Sequence, residues 1–277
     1  MTDDTFDRSC AHWSEEGRAE MERFYAIASV DYRHLAEARG WGGWLKAMQE
    51  AVGRPLNLLD VACGSGKFPA ALNRYARLGD AGLGPIDYAL LDPSRFSIEE
   101  ARATLEPPFV PGASYETTLQ ALDCPPNAFD VVWATHALYA VPPAEIGVAL
   151  ERFIAVCAGE GFIAHAYADA HYLAFQRRFL EAFGRKHETL YTSAEDVIAS
   201  LRALGVPFDV QDLTYENGAG IGDRGAVEGY LQRCVFDESV SLEEMERADG
   251  LADYLASCRA AGDWRFSQSV ALISIFP

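Results

Sequence analysis

Leu56-Asn-Leu-Leu-Asp60-Val-Ala-Cys63-Gly64-Ser65-Gly66-Lys67 decides the fold. Its first six residues are an apolar run of strand length, and the run ends in a Gly-x-Gly turn that opens an amphipathic stretch, Phe68–Leu78. Glycine suits such a turn because backbone and ligand approach closely there, and the helix that follows offers free N–H groups. Downstream the pattern repeats. Short apolar runs at Tyr88–Leu91, Ser114–Glu116, Phe129–Ala134, Phe162–Ala166 and Phe208–Leu213 alternate with helical stretches at Ile98–Leu105, Ala144–Val156 and Ala194–Leu204. Strands separated by single helices predict an α/β fold: a doubly wound, mostly parallel, Rossmann-like sheet of seven strands. Ser94 is expected to cap one helix, and Ser193 with Asp196 another that Gly205 and Pro207 close.

Upstream, Trp13, Met21, Phe24, Tyr25 and Ala28, then Tyr32, Leu35, Trp41, Trp44, Leu45 and Met48, recur at helical spacing. They predict a helical cap over residues 1–52, ahead of a ligand-binding domain over 53–277. The glycine-rich run Glu216–Arg224 reads as a loop. It opens an insertion at about 216–262 that includes an acidic helical region, Val240–Cys258, before a last strand.

The chain has 277 residues, 49% of them hydrophobic, with 23 Lys and Arg against 41 Asp and Glu, a net charge of −18. That is a globular composition, and it argues against nucleic acid, whose phosphates call for clustered basic residues. No apolar stretch reaches the ~18–20 residues of a membrane span, and the start is acidic where a signal peptide would be basic. Six scattered cysteines form neither a C-x-x-C pair nor a zinc-spaced set. A reduced, cytoplasmic protein with a small-molecule partner, no metal and a monomeric or homodimeric state is expected.

A pyrophosphate at the Gly-x-Gly turn would be repelled by Asp60, and Pro69 replaces the third glycine of a dinucleotide loop. An acid there suits a ligand carrying an ammonium and a sulfonium, as S-adenosylmethionine does. Asp92, 26 residues after Gly66 at the end of the second strand, can accept both ribose hydroxyls.

With these features the chain resembles the class I S-adenosylmethionine-dependent methyltransferases, and within them histamine N-methyltransferase and its bacterial relatives. The resemblance rests on Leu91-Asp92-Pro93-Ser94, Phe129-Asp130-Val-Val-Trp-Ala-Thr-His136-Ala-Leu-Tyr139, Tyr191-Thr-Ser-Ala-Glu-Asp196, Tyr230-Leu-Gln-Arg-Cys-Val-Phe-Asp and Phe266-Ser-Gln268-Ser-Val-Ala-Leu-Ile. It implies cofactor contacts from Gly64, Gly66, Asp92, a hydroxyl of Thr117-Thr118 and Thr135, with Asp60, Ala62, Ser65 and Pro93 beside them. It places His136 where the family has a glutamine, Gln268 where it has an asparagine, and Asp31 nearest its N-terminal substrate carboxylate. Tyr172 and Phe175 fall in the segment that carries the family's substrate-lining tryptophans.

Methyl transfer is an in-line displacement, so positioning dominates, and an amine acceptor must first lose a proton. His136, leaving the fourth strand, is the candidate base or positioning group, with Tyr139 beside it and Gln268 completing the catalytic set. His165 is expected as a satisfied core histidine and His171 either at the site or in solvent. Tyr25, Tyr32, Trp41, Trp44, Tyr139, Tyr167, Tyr172 and Phe175 could cage a cation, although for the N-terminal four simple packing is the stronger reading.

The expected activity is methyl transfer to a small-molecule amine, or by a close margin to an oxygen, in secondary metabolism, with S-adenosylhomocysteine as product. The alternative is a cyclase, in which the cofactor's own amino group closes an azetidine ring (azetidine-2-carboxylate) and releases methylthioadenosine. A non-catalytic cofactor-binding protein is the third reading.

Overall fold

Strand β1 (Leu56–Val61) is an interior strand of the sheet in the computed structural model, which describes residues 5–185 and 188–277. Its alternation splits the interior. Leu56 and Leu58 face one apolar cluster and Leu59 and Val61 another, on opposite sides of the sheet. A strand buried on both faces must read as a nearly continuous apolar run, as this one does.

The remaining strands are β2 (Ile86–Leu91), β3 (Phe109–Tyr115), β4 (Phe129–Thr135), β5 (Cys157–Ala166), β6 (Phe208–Gly220), the two-residue β7 (Arg259–Ala260) and β8 (Asp263–Ile275). Seven form the sheet in the order β3-β2-β1-β4-β5-β8-β6, and β7 adds a short hairpin on β8. The five strands from β3 to β5 run parallel, whereas β8 is antiparallel to both β5 and β6. This is the doubly wound, mostly parallel Rossmann-like sheet that the alternation of elements predicts. The order reverses between β1 and β4, and in such sheets ligands bind at that switch, beyond the carboxyl ends of the strands.

The helices before the sheet are α1 (Thr5–His12), α2 (Arg18–Glu37) and α3 (Trp41–Val52); residues 1–4 of the expected cap lie outside the described residues. Within the sheet's connections lie α4 (Lys67–Tyr75), α5 (Arg95–Thr104), α6 (Ile146–Val156), α7 (His171–Ala182) and α8 (Ala194–Leu204). Ser94 caps α5 by accepting the Ser97 N–H at 3.2 Å, and Ser193 and Asp196 form a capping box on α8, which ends at Gly205 in the left-handed region.

The expected loop and the expected start of the insertion both fail in the last third of the chain, while the acidic region is helical as expected. The Glu216–Arg224 run is no loop in its first half, because β6 continues to Gly220, with Asn217 paired to Phe266 and Gly218 to Arg265. The glycine serves pairing here: a Cβ on Gly218 would lie 2.5 Å from the Trp264 carbonyl oxygen. The insertion accordingly begins after Gly220, with α9 (Arg224–Cys234). The acidic region is two short helices, α10 (Leu242–Met245) and α11 (Leu251–Ser257), separated at Gly250 with φ 75°. Their Leu242, Met245, Leu251 and Leu255 join α2, α7 and α9 in a third apolar cluster. Among the described residues no helix is long and apolar enough to cross a membrane.

Candidate active site

Beyond the carboxyl ends of β1, β2 and β4 opens a cavity of about 590 Å³. The turn after β1 makes it possible: Ala62, Gly64 and Gly66 have φ of 51°, 51° and 70°, so the chain turns sharply and α4 begins at Lys67. The two glycines differ in purpose. Gly64 lines the cavity and donates its N–H to Asp92 Oδ2 at 3.1 Å. Gly66 does not line it; a Cβ there would overlap Thr104 Oγ1 and stand 3.0 Å from the Ala101 Cα, so this glycine lets α4 and α5 pack.

Asp92 follows β2 and is 7% exposed. Its Oδ1 accepts the Ser94 N–H at 2.8 Å while Oδ2 holds Gly64, which fixes both oxygens and leaves each a lone pair for a ligand. Burial lifts its carboxyl to about 6, against the pull of those two N–H groups. Asp60, at the end of β1, is 2% exposed and accepts the Tyr88 hydroxyl at 2.7 Å, which in turn accepts Trp133 Nε1–H at 3.2 Å. Desolvation raises Asp60 to about 7. Ala62, Pro93, Thr118 and Thr135 also line the cavity. Ser65, 3% exposed, and Gly66 are not among the residues that line the cavity.

The far side is built from β4, α2, β6 and β8. His136 leaves β4 with φ 53°, and its N–H donates to the Ala164 carbonyl at 2.9 Å. Its Nδ1 is 2.7 Å from the Tyr139 hydroxyl, which itself accepts the Ala166 N–H at 3.3 Å. With the Tyr139 hydroxyl donating to Nδ1, the imidazole proton sits on Nε2. That nitrogen is buried without a protein partner, on a residue that lines the cavity. Desolvation lowers His136 to about 3, so the ring is neutral at any ordinary pH. In that tautomer Nε2 is a hydrogen-bond donor, and a ring this hard to protonate is a poor base.

Asp31, on α2, opens on the same space. Its Oδ1 accepts Asn217 Nδ2–H at 2.9 Å, and burial raises its carboxyl to about 6. Gln268, opposite Tyr215 in the β6–β8 register, donates from Nε2 to the Tyr230 hydroxyl at 3.4 Å. Tyr25 and Tyr32, two helical turns apart on α2, have ring centroids 6.3 Å apart, and Tyr32 meets His136 edge-on at 6.0 Å. Tyr172 packs on Tyr139 at 4.8 Å.

Asp31, His136, Tyr139, Gln268, Tyr25 and Tyr172 are thereby brought together, and Phe175 is not: it is fully buried on α7 beside His171. His171 is likewise neither at the cavity nor in solvent, its Nδ1 lying 2.8 Å from the Tyr254 hydroxyl within the third cluster. His165 is the core histidine expected but is only half satisfied: Nε2–H donates to the Thr192 carbonyl at 2.9 Å, while its buried Nδ1 has no hydrogen-bond partner. Trp41 and Trp44 pack and bond elsewhere, to the Leu35 carbonyl and Glu160, and Tyr167 bonds to Asp212. Tyr215 is a wall residue that sequence reasoning missed; Lys67, Tyr230 and Phe236 were visible within quoted motifs without a role.

Residues 58–161 match the family described as methyltransferase domain. No curated protein matches the chain in sequence. Among solved structures, magnesium protoporphyrin IX methyltransferase from Synechocystis superposes with a TM-score of 0.58 at 13% identity, covering 99% of this chain and 100% of that one, with S-adenosylhomocysteine bound. The same enzyme with bound S-adenosylmethionine gives 0.55 at 13% identity, over 100% and 99% of the two chains. The YcgJ protein from Bacillus subtilis gives 0.53 at 16% identity, over 80% and 92%. Over its whole length the chain has the fold of these S-adenosylmethionine-binding methyltransferases.

Proposed function

We propose that this protein transfers a methyl group from S-adenosylmethionine to a small-molecule amine. The observation that carries the reading is that one cavity unites the turn and its pinned Asp92 with a second cluster, Asp31, His136 and Gln268, walled by tyrosines. The first cluster fits the cofactor. Asp92 keeps lone pairs for a ribose diol, and Asp60 stands at the glycine turn as a buried acid facing a ligand that carries positive charge.

Bound there, S-adenosylmethionine supplies an electrophilic methyl on a sulfonium. The chain's own residues hold an acceptor in line with it and keep water out, which is where most of the rate arises; orientation alone is worth ~7–11 kcal/mol. Tyr25, Tyr32, Tyr172, Tyr215 and Tyr230 provide aromatic walls, which suit a cation. Asp31 binds the ammonium of the acceptor and takes its proton. A carboxyl near 6 is a stronger base than an ordinary one near 4, and Asn217 keeps it oriented. His136 donates from Nε2 to an acceptor atom of the substrate and holds it in place; Gln268 supplies a further polar contact opposite. A carboxylate on the acceptor side favours an amine over a phenol or an acid.

The test is a panel of primary and secondary amines, phenols and carboxylic acids incubated with purified protein and S-adenosylmethionine. N-methylated product with equimolar S-adenosylhomocysteine is expected. Methylation confined to oxygen would overturn the amine assignment.

A further inference from the structure

The cavity wall is lopsided in charge. Among the described residues that line it, Asp31, Asp60, Asp92 and Glu145 are acidic, and Lys67 is the one lysine or arginine, while His136 is neutral. Lys67 opens α4 directly after the glycine turn, and its ammonium rests 4.6 Å from the centre of the Tyr25 ring. The Tyr25 hydroxyl in turn stands 3.7 Å from the point where a Cβ on Gly64 would sit. The ammonium is therefore held along the strip of wall between the turn and α2. It is half-buried, burial depresses its pKa, and Glu100 and Glu22 act on it as charges without hydrogen-bonding to it. A partly desolvated cation on an aromatic face is stabilised when a ligand brings the matching anion.

S-Adenosylmethionine has one anionic group, the α-carboxylate at the end of its aminoacyl arm. Resting on the cofactor reading above, we infer that Lys67 is the receptor for that carboxylate. The ribose end is fixed by Asp92, so a cation one residue beyond Gly66 fixes the other end of the same molecule and sets the direction of the sulfonium methyl. The assignment also constrains the acceptor. Once Lys67 is neutralised by the cofactor, no charged base remains among the described wall residues, so the acceptor enters neutral or cationic.

The test compares two adenosine ligands that differ in the arm. S-Adenosylhomocysteine carries the carboxylate; methylthioadenosine lacks the whole aminoacyl group. Calorimetric titration of wild type, Lys67→Met and Lys67→Arg should show the Met variant binding S-adenosylhomocysteine about tenfold to hundredfold more weakly, its affinity for methylthioadenosine changed less than about twofold, and the Arg variant recovering most of the loss. Undiminished affinity of Lys67→Met for S-adenosylhomocysteine would overturn the inference while leaving the cofactor reading intact. An equal loss for both ligands would overturn it too, by showing that Lys67 supports the turn. Failure of wild type to bind either ligand would defeat the cofactor reading, and the inference with it.

Discussion

Replacing Asp31 by Asn should make the protein more stable and less active, and the gain in stability should depend on pH. Asp31 is a carboxyl of ordinary value 3.8 that burial lifts to about 6 in the fold. Ionising it is thus harder in the folded protein than in the unfolded chain. Below pH 3.8 both states are protonated and nothing is lost; between 3.8 and 6 the folded state binds more protons and stability falls as pH rises; above 6 the penalty is complete. At about 1.4 kcal/mol per pH unit, the full penalty is on the order of 3 kcal/mol. Asn carries no charge, nearly matches Asp in shape and still offers an oxygen to Asn217 Nδ2. The ligand-free Asp31→Asn variant should therefore equal wild type near pH 4 and exceed it by about 3 kcal/mol at pH 8. For a chain of this length that is a rise in Tm of roughly 5 °C. Urea unfolding of both proteins at the two pH values measures the difference. A difference that does not change with pH, or a variant less stable than wild type at pH 8, would refute the claim that a desolvated carboxylate is held there for a ligand.

Asp92→Ala removes two charge-assisted hydrogen bonds to a diol, each ~1.5–3 kcal/mol, and frees the Gly64 and Ser94 N–H groups; S-adenosylhomocysteine affinity measured by calorimetry should fall by at least about a hundredfold. His136→Gln should lower turnover by a similar factor at every pH from 6 to 9, because an imidazole at about 3 does not titrate in that range; loss of a pH limb in the variant would show instead that His136 is the base. Wild-type turnover should fall as pH drops through about 6, where Asp31 takes up its proton, and a rate–pH profile flat to pH 5 would exclude Asp31 as base. Gly66→Ala forces a side chain into φ 70° and against α5, and should cost about 2 kcal/mol or more in urea unfolding.

How far the sequence is legible depends on how local the physics is. Strand β1 can be read to the residue because both its faces are buried and the glycine turn stops it. Ser94 and Ser193 can be read because a cap is settled within three residues. The end of β6 cannot. Asn217 and Gly218 look like loop residues until Trp264 on β8 is seen to pass where a Cβ would be, 46 residues away. The site divides the same way. Asp60 and Asp92 stand out because each ends a strand at the ligand-binding edge of the sheet. Tyr215 and Phe236 reach the cavity only through the packing of β6 and of the segment after α9, and Lys67 advertised nothing but its place beside a glycine. The protonation of His136 was beyond reach as well. It turns on Tyr139, whose hydroxyl meets both Nδ1 and the Ala166 N–H on β5, and on the burial that keeps the ring neutral.

The most direct test of the account is the fate of the cofactor. A sulfonium has three carbon arms, and which one is attacked is recorded in the mass of the nucleoside released. Purified protein with S-adenosylmethionine alone should turn over little, and adding an amine acceptor should produce S-adenosylhomocysteine, in an amount equal to the methylated amine and abolished by Asp92→Ala. Rapid release of methylthioadenosine from the cofactor alone, above the buffer blank and likewise abolished by Asp92→Ala, would contradict methyl transfer and show that the cavity folds the cofactor onto itself.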